Sequence, residues 1–201
     1  MTTRAIAMPR ATLSATPRPL VSSALIAVIA VMVAEGMLFA GLIGSFLVFR
    51  LSAPAWPPAD LPSLPLGVTI VNTGVLGSSL LPLTRALRTL RSGGAGDVAR
   101  GIRIAATLGM LFLFVQGAEW VHLVGHGVTL GTSIYGATFY LLIGCHAAHV
   151  LAAVLWLGGL AVYARSGRLR PERSVLLETA TIYWYFVCVL WVVLFGLVYV
   201  L

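Results

Sequence analysis

Residues 21–50 read VSSALIAVIAVMVAEGMLFAGLIGSFLVFR, almost wholly apolar apart from Glu35 near the middle. At about 1.5 Å per residue a helix of this length exceeds a hydrocarbon layer of roughly 30 Å, so the stretch predicts a membrane-spanning helix. Glu35 then lies far from both headgroup regions, where a lipid-exposed charge costs about 2.5 kcal/mol or more. It must face protein, carry a proton, or both. The run is too long for a signal-peptide core and no small-residue cleavage site closes it, so it reads as a mature helix. Gly36, Ala40 and Gly44 recur every four residues and predict a flat strip for close packing within the bundle.

The rest of the chain has the same character. Of 201 residues, 59% are hydrophobic and 9% charged, with a mean hydropathy of +0.99. A soluble domain of this size does not reach such values, so the fold class is all-α, an integral membrane bundle. The formal net charge is +7, and all thirteen basic residues are arginines gathered in clusters between apolar runs. They form no basic face of the kind that binds a groove, so no nucleic-acid partner is expected. Cys145 and Cys188 lie in separate apolar runs without a CxxC pairing and read as free buried thiols.

Outward from the first run, residues 1–19 carry Arg4, Arg10 and Arg18 without an acid and predict a tail; residues 20–201 form the membrane domain. Pro54, Pro57, Pro58, Pro62 and Pro65 exclude helix from the next connection, with Trp56 at the interface. Further spans are predicted at about 66–84, 101–123, 134–163 and 176–201, giving five with 21–50. Arg85, Arg88, Arg91, Gly93, Gly94, Asp97, Arg100 and Arg103 are assigned to the loop between the second and third spans. Arg165, Arg168, Arg170 and Arg173 fall between the fourth and fifth. Counted by side, twelve arginines lie together and Arg50 lies opposite. The positive-inside rule therefore predicts a cytoplasmic amino terminus and, after five spans, an outer carboxyl terminus.

Polar residues within these spans are the candidate functional groups. Asn72, with Thr73, Ser78 and Ser79, suits helix-to-helix hydrogen bonds. Gln116, Glu119 and His122 are spaced three apart and predict one polar stripe near the membrane exit. His146 and His149, at i and i+3, invite a metal reading because imidazole is a common ligand. With only four histidines, two on this helix and His122 and His126 near one outer loop, facing ligands for a haem are lacking. A hydrogen bond from each buried imidazole to Glu35, Glu119 or a lipid phosphate is the expectation instead. No nucleophile–base pair, phosphate loop or ligand cluster is visible, so no catalytic or metal-binding residue is assigned.

Seven stretches occur in one order along the chain: AEGMLFAG (34–41), WPP (56–58), VNTGVL (71–76), QGAEW (116–120), IYGATFY (134–140), GCHAAHV (144–150) and YWYFVCVLW (183–191). Together they resemble subunit III of the haem–copper cytochrome c oxidases, in the five-helix bacterial form that lacks the first two of seven helices. Two departures stand out: Tyr185 and Cys188 replace a histidine and an aspartate common in the last motif, and Thr132 and Ser133 stand where Asp-Gly is common. The resemblance implies an accessory, non-catalytic subunit in a bacterial inner membrane. It implies a catalytic subunit I as partner, which carries the haem and copper, and bound structural phospholipids, with no cofactor on this chain. Glu35 then matches a buried membrane carboxylate of the family, and Glu119 with Gln116 an inter-helix anchor. Arg85, Arg88, Arg103 and Arg165 are the candidates for pairing with lipid phosphate. Two rival readings are an accessory subunit of nitric oxide reductase and a haem b-binding membrane anchor. A proton-coupled transporter is a third, without visible repeat symmetry to support it.

Overall fold

The computed structural model describes residues 22–56, 66–93, 97–127, 129–131 and 133–200. The tail arginines, Pro57, Pro58, Pro62, Pro65, Gly94 and Thr132 lie outside the described residues. Six α-helices follow in order: α1 Ser23–Ser52, α2 Leu66–Ser78, α3 Leu80–Arg91, α4 Val98–Gly125, α5 Ile134–Arg165 and α6 Ser174–Phe195. A 3-10 turn, Pro171–Arg173, leads into α6, and a π turn, Gly196–Val200, follows it. With α2 and α3 taken as one, five helical stretches are long and apolar enough to cross a membrane.

Local chemistry sets the helix starts. Ser22, Asp97 and Ser133 each accept a hydrogen bond from the backbone N–H three residues on, capping α1, α4 and α5. Ser133, one of the departures noted above, is thus the cap of α5. Gly136 in the first turn of that helix has no room for a side chain, because a Cβ would strike the Thr129 carbonyl oxygen. At the other ends, Gly127 and Gly167 take φ of 82° and 69°, a left-handed conformation that stops α4 and α5.

The second span differs from its expectation. It does not end near residue 84 but continues to Arg91, interrupted at Ser79. Pro82 has no N–H to offer the Ser78 carbonyl, so the ladder loses a bond there. The Ser79 hydroxyl meanwhile donates to the Leu76 carbonyl. Arg85, Arg88 and Arg91 are therefore helical rather than in a loop. Leu83, Ala86, Leu87 and Leu90 line the buried side of α3, which places the three arginines on its exposed side. Likewise Arg100 and Arg103 belong to α4, which begins at Val98.

In the bundle α4 packs on α2, α3 and α5, and α6 on α3, α5 and α1. The core runs through Phe112, Phe139, Leu142, Ile143, Leu157, Trp184 and Trp191. Trp56 packs edge-on between Phe46 and Tyr135, at centroid distances of 5.6 and 5.1 Å. It ties the segment after α1 to the start of α5. Helix α1 buries Phe39 and Phe46, seven residues apart, against the rest. The expected packing strip of Gly36, Ala40 and Gly44 is not used among the described residues: Ala40 and Gly44 are exposed, and a Cβ at either glycine would touch none of them within 4 Å. In lipid both faces of a helix can be apolar, so small residues alone do not fix which face turns inward.

Candidate functional site

Inside this bundle the polar side chains form two clusters that connect helices. In the first, Glu35 of α1 accepts a hydrogen bond at Oε1 from the Tyr183 hydroxyl of α6, at 3.0 Å. The same oxygen lies 3.5 Å from His149 Nε2 on α5. His149 Nδ1 sits 2.7 Å from the Cys145 carbonyl oxygen, which can only accept, so Nδ1 carries a hydrogen. Facing these partners, the carboxyl group in the middle of the helix is not left alone in lipid.

The second cluster joins α2, α4 and the carboxyl-terminal turn. The Thr69 hydroxyl donates to Glu119, 3.2 Å from Oε1. The Gln116 amide donates to Glu119 Oε2 at 3.1 Å and to the Tyr199 hydroxyl at 3.0 Å. One turn along, Asn72 donates to the Phe112 carbonyl at 3.1 Å. The indoles of Trp191 and Trp184 donate to Thr73 and Ser79 at 2.9 and 2.8 Å. The second span is thus stitched to α4 and α6 along its length. At this end of the bundle Arg50, at the end of α1, donates to the Leu197 carbonyl of the π turn at 3.2 Å.

The two histidines of α5 part ways. His149 lies beside Glu35, whereas His146 is buried without a hydrogen-bond partner at either ring nitrogen among the described residues. The carboxylate partner expected for His146 is not there. Three residues advance a helix by about 300°, so its ring points instead into an aromatic cage. It stacks on Trp191 at 5.2 Å and meets the edges of Phe39 and Phe112. The expected stripe of Gln116, Glu119 and His122 also divides: the first two are buried, while His122 is exposed beside His126. Thr69, Tyr183 and Tyr199 escaped the sequence reading. A hydroxyl in an apolar run carries no spacing signal for the acid it will meet.

Cys188 is buried and Cys145 half-buried, both as free thiols. Tyr185 faces outward, its hydroxyl 2.8 Å from Thr84 Oγ1 of α3. Among the described residues no three His, Cys, Asp or Glu side chains gather as a metal-holding group. Of the four candidate phosphate partners, Arg85 and Arg88 stand exposed on α3. Arg103 and Arg165 line one cavity between the start of α4 and the end of α5.

A bundle of five membrane-length stretches whose embedded acids Glu35 and Glu119 bond to neighbouring helices agrees with what comparison finds. The family model for cytochrome c oxidase subunit III matches residues 4–201. The chain belongs to the cytochrome c oxidase subunit III family. Relatives within and near that family include cytochrome c oxidase subunit 3 of a Synechocystis species, 35% identical over 87% of this chain and 74% of the relative. A probable cytochrome c oxidase subunit 3 of Nocardia farcinica is 30% identical over 82% of this chain and 81% of the relative. A quinol oxidase subunit 3 of Bacillus spizizenii is 29% identical over 84% and 82%. Members of the subunit III family are parts of multi-subunit oxidases, so this chain has partner subunits in a membrane.

Proposed function

We propose that this chain is the accessory subunit III of a respiratory haem–copper oxidase in a bacterial inner membrane, with its amino terminus on the cytoplasmic side. The complex reduces oxygen to water and translocates protons. The partner subunit I holds the haem and copper, and this chain stabilises it and binds phospholipid without supplying a catalytic group. The match to the subunit III family along residues 4–201 carries the reading. The geometry supports it: Glu35, Glu119, Gln116 and Asn72 each hydrogen-bond to a neighbouring helix or turn, and His149 of α5 lies 3.5 Å from Glu35 of α1. We assign them the role of inter-helix contacts, with His146 as a packed aromatic neighbour.

Purification from membranes in mild detergent, with partners identified by mass spectrometry and metals by elemental analysis, tests the proposal. The expected result is a core containing haem and copper that consumes oxygen. An iron-only core that reduces nitric oxide would refute it, as would a Soret band from the isolated chain that vanishes in His146→Ala. The quinol oxidase relative keeps the donor open to test: oxygen uptake driven by reduced cytochrome c or by quinol identifies it.

A further inference from the structure

Helix α4 starts at the arginine-rich end of the bundle with Arg100 and Arg103 and finishes at the opposite end, with His122 in its last turn and His126 as its cap. Residues four apart on a helix lie one above the other on a single face. Both histidines are exposed, and their rings meet at a centroid distance of 4.3 Å, tilted by 53°. Neither belongs to the inter-helix clusters. Two histidines on one helix cannot grip a haem from both sides, but they can chelate a single hydrated ion.

The backbone prepares His126 for that task. Its Nδ1 lies 2.8 Å from the His122 carbonyl oxygen, which can only accept, so Nδ1 carries the hydrogen and Nε2 presents a lone pair. A ring nitrogen bonded in this way fixes the tautomer and the ring orientation and makes the other nitrogen a better metal ligand. Two imidazole nitrogens each about 2.0–2.1 Å from one ion bring their rings within a few ångström of each other. Rings already at 4.3 Å therefore need only small side-chain rotations to share an ion.

The surrounding charge suits a cation. The last carbonyls of α4 form the negative end of its dipole, and no Lys or Arg occurs from residue 104 to residue 164. Arg50, which lies at this end, is engaged with the Leu197 carbonyl. No third His, Cys, Asp or Glu joins the pair among the described residues. A donor set of two imidazoles selects borderline ions over Mg²⁺ and Ca²⁺, which take oxygen ligands.

We propose that His122 and His126 form a surface site for a divalent transition-metal ion of the zinc, nickel and copper class, with water completing the coordination. In the orientation proposed above the site faces the outer side of the membrane. A bound ion ties the last turn of α4 to its cap, next to the turn at Gly127. The site goes beyond the proposed function and holds whichever core the chain serves.

Hydrogen–deuterium exchange of the purified, chelator-washed complex, read by mass spectrometry with zinc, nickel or magnesium chloride, tests it. Zinc and nickel slow exchange at residues 122–127 of the wild type, and magnesium does not. Loss of an outer hydrogen-bond partner already costs about 10–100-fold in metal affinity, so His122→Asn and His126→Asn each raise the half-saturating zinc concentration at least about tenfold. His122→Phe keeps a ring against His126 and removes the ligand, so it separates packing from chelation and loses the zinc response. Unchanged exchange in zinc would overturn the proposal, as would an equal response to magnesium. A wild-type zinc response in His122→Phe or in the asparagine variants would also overturn it. Haem absorption of the same samples reports the oxidase core, so failure of the metal site and failure of the oxidase assignment are read separately.

Discussion

Gly109→Ala adds one methyl group at a tight point of the core, where α4 meets α5 and α6. Its Cβ would stand 2.5 Å from Trp184 Cη2 and 2.8 Å from Val154 Cγ2, where carbon atoms in contact prefer about 3.5–4.0 Å. Each neighbour must retreat by roughly 1 Å. Neither is free to do so: Val154 is β-branched on a helix, with one favoured rotamer, and the Trp184 indole is held by its bond to Ser79 at the break between α2 and α3. Overpacking costs about 1–3 kcal/mol, and a displaced indole N–H left unpaired in the core adds about 1–3 kcal/mol. Alanine in place of glycine returns about 1 kcal/mol of helix propensity. The net is a loss of about 3 kcal/mol, or roughly 6–12 °C in melting temperature for a chain of this size. Thermal unfolding of the detergent-purified protein, followed by tryptophan fluorescence, measures it. Gly144→Ala is the control, since its Cβ would meet only Trp120 Cη2 at an ordinary 3.7 Å. Val154→Ala added to Gly109→Ala should recover part of the loss. If Gly109→Ala melts with or above Gly144→Ala, the close contact of α4 with α6 is not as described.

Glu35→Gln keeps an oxygen to accept the Tyr183 hydroxyl and should leave the yield of co-purified partner subunits unchanged. Glu35→Leu strands that hydroxyl and the His149 ring and should lower the melting temperature by about 1–3 kcal/mol worth of stability, read in the same thermal assay. A double-mutant cycle of Thr69→Val and Glu119→Leu should return a coupling of about 0.6 kcal/mol, and no more than about 1.7, as for other hydrogen bonds between membrane helices; zero coupling would dissolve the second cluster. Arg91→Ala breaks an ion pair with Glu178 of 2.7 Å whose side chains are 51% and 28% exposed. Its loss should cost under about 1 kcal/mol, leaving unfolding close to wild type.

How much of this was legible in advance follows from what a bilayer does to sequence patterns. Length and hydropathy announced the five spans, because nothing else keeps residues 21–50 or 134–163 apolar. Helix rotation was hidden, because lipid and core are both apolar: Phe39 faces in, and Met37 two residues away faces out, with no contrast in polarity between them. Helix α3 is the exception that shows the rule. It alternates Leu83, Ala86, Leu87 and Leu90 with arginines, a period that could have been read as a helix continuing past residue 84. The acids were legible as candidates because they are rare in such runs, but their partners were not. Thr69 and Tyr199 are ordinary residues until the fold sets them beside Glu119 and Gln116. His146 shows the opposite failure, a residue whose chemistry drew a polar expectation and whose position gave it an aromatic one.

The same indifference of lipid to rotation gives the buried polar groups their weight. Apolar burial barely distinguishes one rotation of α1 about its axis from another, since the face it would turn outward is as greasy as the face it would turn in. The Ala40 and Gly44 side is smaller and would let α1 approach its neighbours more closely, yet Phe39 and Phe46 occupy the contact. What separates the two settings is Glu35. Turned toward lipid, it would be an unpaired acid at the depth where that costs most; turned inward, it meets Tyr183 and His149. Arg50, fifteen residues on, fixes the far end by its bond to the Leu197 carbonyl. Two polar anchors, one in the middle of the helix and one at its end, select the rotation that the apolar residues leave undetermined.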